Sequence, residues 1–307
     1  MVGIGTIAAA HLDALKRVPG IEVLAGADVN PGATLSYCGN SLPVYPTVRE
    51  LLLGHDLDDL IVATPAATHV AVCEEAMAFG AKAPRILVEK PLATTRSGVE
   101  RLLAAAETYR GGFAALYHFR YAPEVIWAWK RMPALLRTHG AVDRITCSFF
   151  DPYISIDPER RRGYLSSWID TGINALSAVD RLVDLRDTRA LDHLTEGLET
   201  WRAVIEFDSS GRPGMGTILT SWQAVDSSKS SVVRFADGAQ LILDHTACTA
   251  WLADEKGAVE FYGMEEGLSR KTAHYLNMFT DVFSEEYVPL PLSMSSRLHG
   301  FLFAGRD

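Results

Sequence analysis

The chain has 307 residues, 48% hydrophobic and 22% charged, which excludes a disordered, collagenous or coiled-coil polypeptide and is enough for two ordinary domains. A formal net charge of -9 supplies no basic field for a phosphate backbone, so the expected partner is a small molecule and not nucleic acid.

The first elements alternate in the manner of a parallel sheet with helices on both faces. Gly3-Ile4-Gly5-Thr6-Ile7-Ala8 fits the G-x-G-x-x-[GA] pattern. There the first glycine makes a turn, the second admits a pyrophosphate to the backbone, and the third small residue packs helix on strand. Only Met1 and Val2 precede it, so either the first strand is shortened or the polypeptide begins upstream. A helix over 11–17 follows, then a strand over 21–27 that ends at Asp28, whose carboxylate suits both hydroxyls of an adenosine ribose and would repel a 2'-phosphate. NAD is therefore preferred, with NADP possible. Further strands are expected at 59–64, 85–89 and 113–119, and helices at 69–79, 98–108 and 122–137, the last bending near Pro133.

After residue 140 the rhythm changes to strands at 145–150, 201–207, 216–222, 231–236, 239–243, 247–252 and 258–262. Asp237-Gly238 forms a hairpin turn between two of them. A helix at 169–183 interrupts early, and helices at 269–283 and 292–303 close the chain. The fold class is α/β: an N-terminal Rossmann dinucleotide-binding domain over 1–121, then an α+β substrate-binding and oligomerisation domain over 122–307 with a large, mostly antiparallel open sheet. Trp201, Val204, Trp222 and Leu243 exceed what one helical layer covers, which predicts a homodimer or homotetramer through that sheet. Cys38, Cys73, Cys147 and Cys248 are scattered without a CxxC pair, so neither a metal site nor a disulfide framework is expected. With no membrane span and no secretion signal, a cytoplasmic location follows.

The strand ending in Glu89-Lys90-Pro91 resembles the Gfo/Idh/MocA oxidoreductase family. Thr64-Pro65-Ala66-Ala67-Thr68-His69 is similar to the family's T-P-x-x-x-H loop, Phe119-Arg120-Tyr121-Ala122-Pro123 to its R-[FY]-x-P segment, and Asp170-Thr171-Gly172-Ile173-Asn174 to its D-x-G-x-H helix start. The run from Ile169 to Val179, and the tail from Leu298 to Arg306, further resemble bacterial aldose 1-dehydrogenases of the L-arabinose and D-galactose type.

The resemblance implies cofactor contacts at Gly3, Gly5, Thr6, Ile7, Asp28, Thr64, Pro65, His69, Glu89 and Lys90, with a cis bond before Pro91 and His69 bordering the nicotinamide ribose. It places substrate contacts at Lys90, His118, Arg120, Trp168, Asp170 and Asn174, and catalysis at Lys90, Asp170 and Asn174. A lysine beside an oxidised nicotinamide can exchange a proton with a hydroxyl. Asp170 and Asn174, four apart on a helix, can reach one ligand. Asn174 stands where the family usually has His, and it cannot titrate, so the proton falls to Lys90 or Asp170. Trp168 reads either as a platform for a sugar face or as core, the commoner place for an aromatic before a helix start. Glu159-Arg160-Arg161-Arg162 reads as a solvated run or a diphosphate clamp. The implied activity is NAD(P)-dependent hydride transfer between a sugar-like hydroxyl or carbonyl and nicotinamide, most simply an aldose 1-dehydrogenase. A keto-sugar or imine reductase, or a non-catalytic dinucleotide-sensing regulator of the same fold, is the alternative.

Overall fold

The computed structural model describes residues 1–79, 83–194, 199–264 and 267–304. They form two compact units: Met1–Tyr117 with Tyr275–Gly300, and His118–His274 with the residues from Phe301 onward. The sequence reading places the boundary four residues later and assigns the whole C-terminal part to the second domain. Residues 275–300 group with the first unit instead, where the Tyr275 hydroxyl donates to Glu89 at 2.7 Å and His299 Nε2 accepts from the Leu92 amide at 3.0 Å.

In the first unit the order is α1 (Thr6–Leu15), β1 (Gly26–Ala27), β2 (Leu35–Tyr37), β3 (Asn40–Leu42), β4 (Val44–Tyr45), α2 (Val48–Gly54), β5 (Asp59–Val62), α3 (His69–Ala78), β6 (Arg85–Glu89), α4 (Arg96–Thr108) and β7 (Phe113–Leu116). β4 and β1 pair in parallel, as do β5, β6 and β7. Val2 bridges the two sets through parallel contacts with Ala27 and Val62. The Val2 amide donates to Ile61 at 2.8 Å, and the Ala27 amide to Met1 at 2.8 Å. Of the strand expected over 21–27, Gly26 and Ala27 form the ladder with β4. Leu60, Val62, Ile86, Leu87 and Val88 are wholly buried, as strands covered on both faces must be. α2 is a helix that the hydrophobic pattern does not announce, but its start is explicit: Thr47 Oγ1 accepts from the Glu50 amide at 3.1 Å and donates to the Glu50 carboxylate at 3.1 Å.

The second unit contains α5 (Pro123–His139), β8 (Val142–Phe150), α6 (Pro158–Arg162), α7 (Ile173–Leu182), β9 (Asp184–His193), β10 (Thr200–Ser209), β11 (Arg212–Ser221), β12 (Ser228–Phe235), β13 (Gln240–Asp244), β14 (Thr249–Asp254) and β15 (Gly257–Gly263). α8 (Arg270–Val282) runs from this unit into the first, and α9 (Leu292–Leu302) follows. The sheet order is β15-β14-β13-β12-β8-β11-β10-β9, antiparallel throughout except for β8 beside β11. The Asp237-Gly238 turn joins β12 to β13 with Gly238 at φ 92°. The fold class expected from the sequence, a Rossmann domain followed by a mostly antiparallel sheet domain, is the one observed.

Alternation assigns the faces. Trp201, Ala203, Ile205 and Phe207 of β10 point to the side where α5 and α7 pack, and Trp127 of α5 stacks on Tyr262 at 5.7 Å. Trp201, Trp222 and Leu243 are therefore buried inside the unit, contrary to the expectation that they face a partner; of the four residues named, Val204 lies on the other side. On that face, cross-strand pairing lines up Phe261, Trp251, Ile242, Val232, Thr146, Thr217 and Val204 in one row. β9, an edge strand rich in Asp and Arg, escapes the hydrophobic pattern because it pairs on one side only. Among the described residues no helix is long and apolar enough to cross a membrane.

Candidate functional site

The nucleotide end of the first unit is built around Gly3 and Gly5. Gly3 has φ 85°, and a Cβ there would lie 2.7 Å from the Thr64 backbone nitrogen, so only glycine lets the loop lie against the end of β5. Gly5 is different: a Cβ would meet nothing within 4 Å, and α1 starts there without a side-chain cap. Thr6 and Ile7 form the first turn of that helix. Open space in front of uncapped first-turn amides is what a pyrophosphate requires, so these residues fit a dinucleotide. Asp28 is oriented by the same loop, its Oδ2 accepting from the Ile4 amide at 2.7 Å and its Oδ1 from the Asn30 amide at 2.8 Å.

Thr64, Pro65 and the Glu89-Lys90-Pro91 segment lie at the C-terminal ends of β5 and β6, and the Lys90–Pro91 bond is cis. His69 ties them together. Its Nδ1 lies 2.9 Å from the Pro91 carbonyl and its Nε2 2.8 Å from the Thr64 carbonyl. The ring is buried, and burial lowers its pKa against the pull of those carbonyls. A neutral ring donates to only one of these carbonyls, and His69 is placed as a buried brace between the two loops, the packing role that the sequence also allows.

Glu89 is also interior. Its Oε1 accepts from His11 Nε2 at 2.8 Å and from the Tyr275 hydroxyl at 2.7 Å, and its Oε2 from the Lys90 amide at 3.1 Å. Burial raises its pKa, but His11, Lys90 and Tyr275 outweigh that and hold the carboxyl below the usual range. The backbone at Lys90 is thereby fixed.

In the sheet unit, Asp170 lies in a π-helical turn, Trp168–Gly172, that runs directly into α7. Such turns are frequent at functional positions. Asn174, one turn on, is buried, and its Oδ1 has no hydrogen-bond partner among the described residues. An orphaned buried acceptor is costly and suits a donor brought by a ligand.

Three other expectations turn inward. Trp168 is fully buried, with its indole N–H donating to the Leu302 carbonyl at 2.9 Å, so it is core and cannot stack on a sugar. His118 is buried with Nδ1 3.2 Å from His274 Nδ1. Arg120 is ion-paired to Asp180 at 2.8 Å. Arg161 donates to the Ile154 carbonyl at 3.1 Å from within α6.

Gly172 shows why this turn needs glycine: a Cβ would lie 2.5 Å from the Trp168 ring, which its own hydrogen bond holds in place. Gly172→Ala is expected to destabilise the protein by about 1–3 kcal/mol through overpacking. Urea unfolding checks this, and an unchanged midpoint would show that Trp168 can move aside.

The structure also brings forward residues that the motifs do not include. Lys229, at the start of β12, is buried and ion-paired to Asp151 at the end of β8. Its ammonium also donates to Ser227 Oγ at 2.9 Å, while Thr171 Oγ1 donates to Asp151 Oδ2 at 3.4 Å. Burial lowers the Lys229 pKa, against the opposing attraction of Asp151 and Asp170. Tyr153 is pushed up by burial and by the same two carboxylates. Asp170 thus acts electrostatically on a lysine and a tyrosine of its own unit. Strand parity is the signal that finds the pair, because Asp151 continues the inward series Cys147, Phe149, and Lys229 begins the inward series Ser231, Val233.

Comparison with known proteins agrees with the nucleotide half. Over 125 residues the chain is 29% identical to the rhizopine catabolism protein MocA of Rhizobium meliloti, covering 41% of this chain and 38% of that one. Over 109 residues it is 32% identical to the inositol 2-dehydrogenase/D-chiro-inositol 3-dehydrogenase of Shouchella clausii, covering 34% and 31%. The chain thus spans under two fifths of the length of these curated relatives. A solved NAD-binding oxidoreductase from Klebsiella pneumoniae shares the fold, with TM-score 0.81 and 16% identity over 99% of this chain and 94% of that one. Residues 1–114 match the Gfo/Idh/MocA family, described as an oxidoreductase family with an NAD-binding Rossmann fold. Those residues therefore form an NAD-binding Rossmann domain similar to that of the Gfo/Idh/MocA oxidoreductases.

Proposed function

We propose that the protein is an NAD-dependent dehydrogenase that oxidises a secondary or anomeric hydroxyl of a sugar or cyclic polyol, with an aldose C1 hydroxyl as the specific candidate. The observation that carries the substrate class is Asn174, a buried amide whose acceptor oxygen has no donor among the described residues, one turn from the Asp170 carboxylate. Two polar side chains of that kind suit adjacent hydroxyls. The names of the relatives, inositol dehydrogenases and MocA, support a polyhydroxylated ring. The nicotinamide, when bound, takes or returns the hydride. Lys90 moves the hydroxyl proton, Asp170 stabilises the charge or shares that proton, and Asn174 orients a hydroxyl.

Turnover of the purified protein with NAD against a panel of aldoses, inositols and keto-sugars tests this reading. Reduction of NAD by a cyclic polyol or aldose is the expected result. No turnover with any hydroxylated ring, in either direction, would overturn it. NAD is also expected to bind at least about tenfold more tightly than NADP, since Asp28 would meet the 2'-phosphate charge-to-charge. Fluorescence titration giving equal affinities would remove Asp28 from the ribose site.

The cytoplasmic location remains part of this proposal, as does assembly through the sheet. The row that includes Phe261, Trp251 and Ile242 presents apolar side chains on the face away from α5 and α7, and Phe261 is 68% exposed. A dimer or tetramer through that row is expected by analytical ultracentrifugation at micromolar concentration, and Phe261→Asp should shift it toward monomer.

A further inference from the structure

The interior of the sheet unit holds a second constellation, apart from Asp170 and Asn174. Glu124 comes from the first turn of α5, Cys248 from the turn between β13 and β14, and His274 from α8. All three are buried, and one donor atom of each lies within 4.8 Å of the other two. Glu124 Oε1 accepts from His245 Nδ1 at 2.6 Å, yet its Oε2 has no partner among the described residues although Glu124 is 0% exposed. His274 presents Nε2 to Cys248 Sγ at 3.9 Å, while its Nδ1 lies 3.2 Å from His118 Nδ1. Cys248 has φ 54°, a left-handed conformation uncommon outside glycine, and the thiol is wholly buried.

We propose that Glu124 Oε2, Cys248 Sγ and His274 Nε2 bind a zinc ion that holds α5, α8 and the β13–β14 turn together. The mixture of carboxylate, thiolate and imidazole selects zinc over magnesium or calcium, which take oxygen ligands. Zinc bonds of about 2.0–2.3 Å would draw the donors to roughly 3.3–3.7 Å apart, a small closing for Cys248 Sγ and His274 Nε2 at 3.9 Å and at most about 1 Å for any pair within 4.8 Å. The outer partners are already in place. His245 fixes the Glu124 carboxylate and is itself 2.8 Å from Ser231 Oγ, while His118 faces the far nitrogen of the His274 ring. Burial and, after it, the Arg270 cation disfavour a proton on His274, which leaves the ring neutral for a metal. Zinc takes Cys248 as the thiolate, so the thiol proton leaves as the metal enters.

The test is expression of the full chain in cobalt-supplemented medium, followed by a chelator wash. The expected result is about one tightly held cobalt per chain, with a thiolate-to-cobalt charge-transfer band in the near ultraviolet. Cys248→Ser should abolish the band, and Cys38→Ser, at the exposed cysteine, should leave it. His245→Gln should weaken retention by about ten- to a hundredfold. X-ray absorption of the wild-type protein needs no variant and should show one sulfur among nitrogen and oxygen neighbours. Wild-type protein without the band and without a sulfur neighbour, or a band that persists in Cys248→Ser, overturns the proposal. None of these readings involves turnover, so their failure leaves the dehydrogenase reading intact.

Discussion

Lys90→Ala is expected to lower turnover by about two to four powers of ten while NAD affinity stays within a few-fold, the effect of losing a general acid or base. The two effects separate because different residues carry them. The pyrophosphate and ribose positions are those proposed for Gly5, the α1 amides and Asp28, and the Asp28 carboxylate is oriented by the Ile4 amide without the lysine side chain. Glu89 holds the backbone at position 90 through its own bonds to His11 and Tyr275, so alanine there leaves the turn in place.

Asn174→Ala should behave differently. It removes one neutral hydrogen-bonding group, on the order of 1 kcal/mol or about five- to tenfold, felt mainly in KM. Asn174→His should be tolerated and add an ionisation near about pH 6–7 to the pH–rate profile. Steady-state kinetics on the three variants decides. If Asn174→Ala abolishes turnover while Lys90→Ala keeps most of it, the proton route is wrong.

A second large effect is expected from acid. His299 is buried with Nδ1 donating to the Ser295 carbonyl at 2.8 Å and Nε2 accepting from the Leu92 amide at 3.0 Å. That arrangement satisfies the neutral ring and has no place for a second proton, and burial lowers its pKa from 6.5 to about 4. Above pH 6.5 the ring is neutral in folded and unfolded chains alike, and its contribution is fully present. Below that, the unfolded chain binds a proton that the folded one refuses, so stability falls by up to about 1.4 kcal/mol per pH unit and by roughly 3 kcal/mol in all as pH drops through 4. In urea denaturation between pH 7 and 4, His299→Gln should reduce the pH slope by about one proton. An unchanged slope would show that the loss arises elsewhere.

Local sequence carried much of this architecture. Arg85–Glu89 is a strand with the bounds expected, and Asp28 stands against the glycine loop. Alternation located the strands of the second unit to within a few residues, because one face of each is buried. What stayed hidden is mostly tertiary. Trp168 beside Asp170 reads as a sugar platform until the Leu302 carbonyl is seen to claim its N–H. His69 reads as a ribose contact until both nitrogens meet backbone carbonyls. Nothing in the local pattern says that Tyr275 and His299 complete hydrogen bonds begun by Glu89 and Leu92. α2 and Lys229 were legible in principle, the first from its capping box and the second from strand parity.

The return of Tyr275–Gly300 to the nucleotide unit has a consequence for how the protein is made. A ribosome adding about 5–20 residues per second delivers Tyr117 on the order of ten seconds before Tyr275 emerges. During that interval the nascent Rossmann half lacks the hydroxyl that Glu89 awaits and the ring that the Leu92 amide awaits. The second unit is then synthesised almost entirely before the first can close. Vectorial synthesis therefore builds most of the later unit while the earlier one still waits, and a fragment released at residue 117 would be left without its last partners.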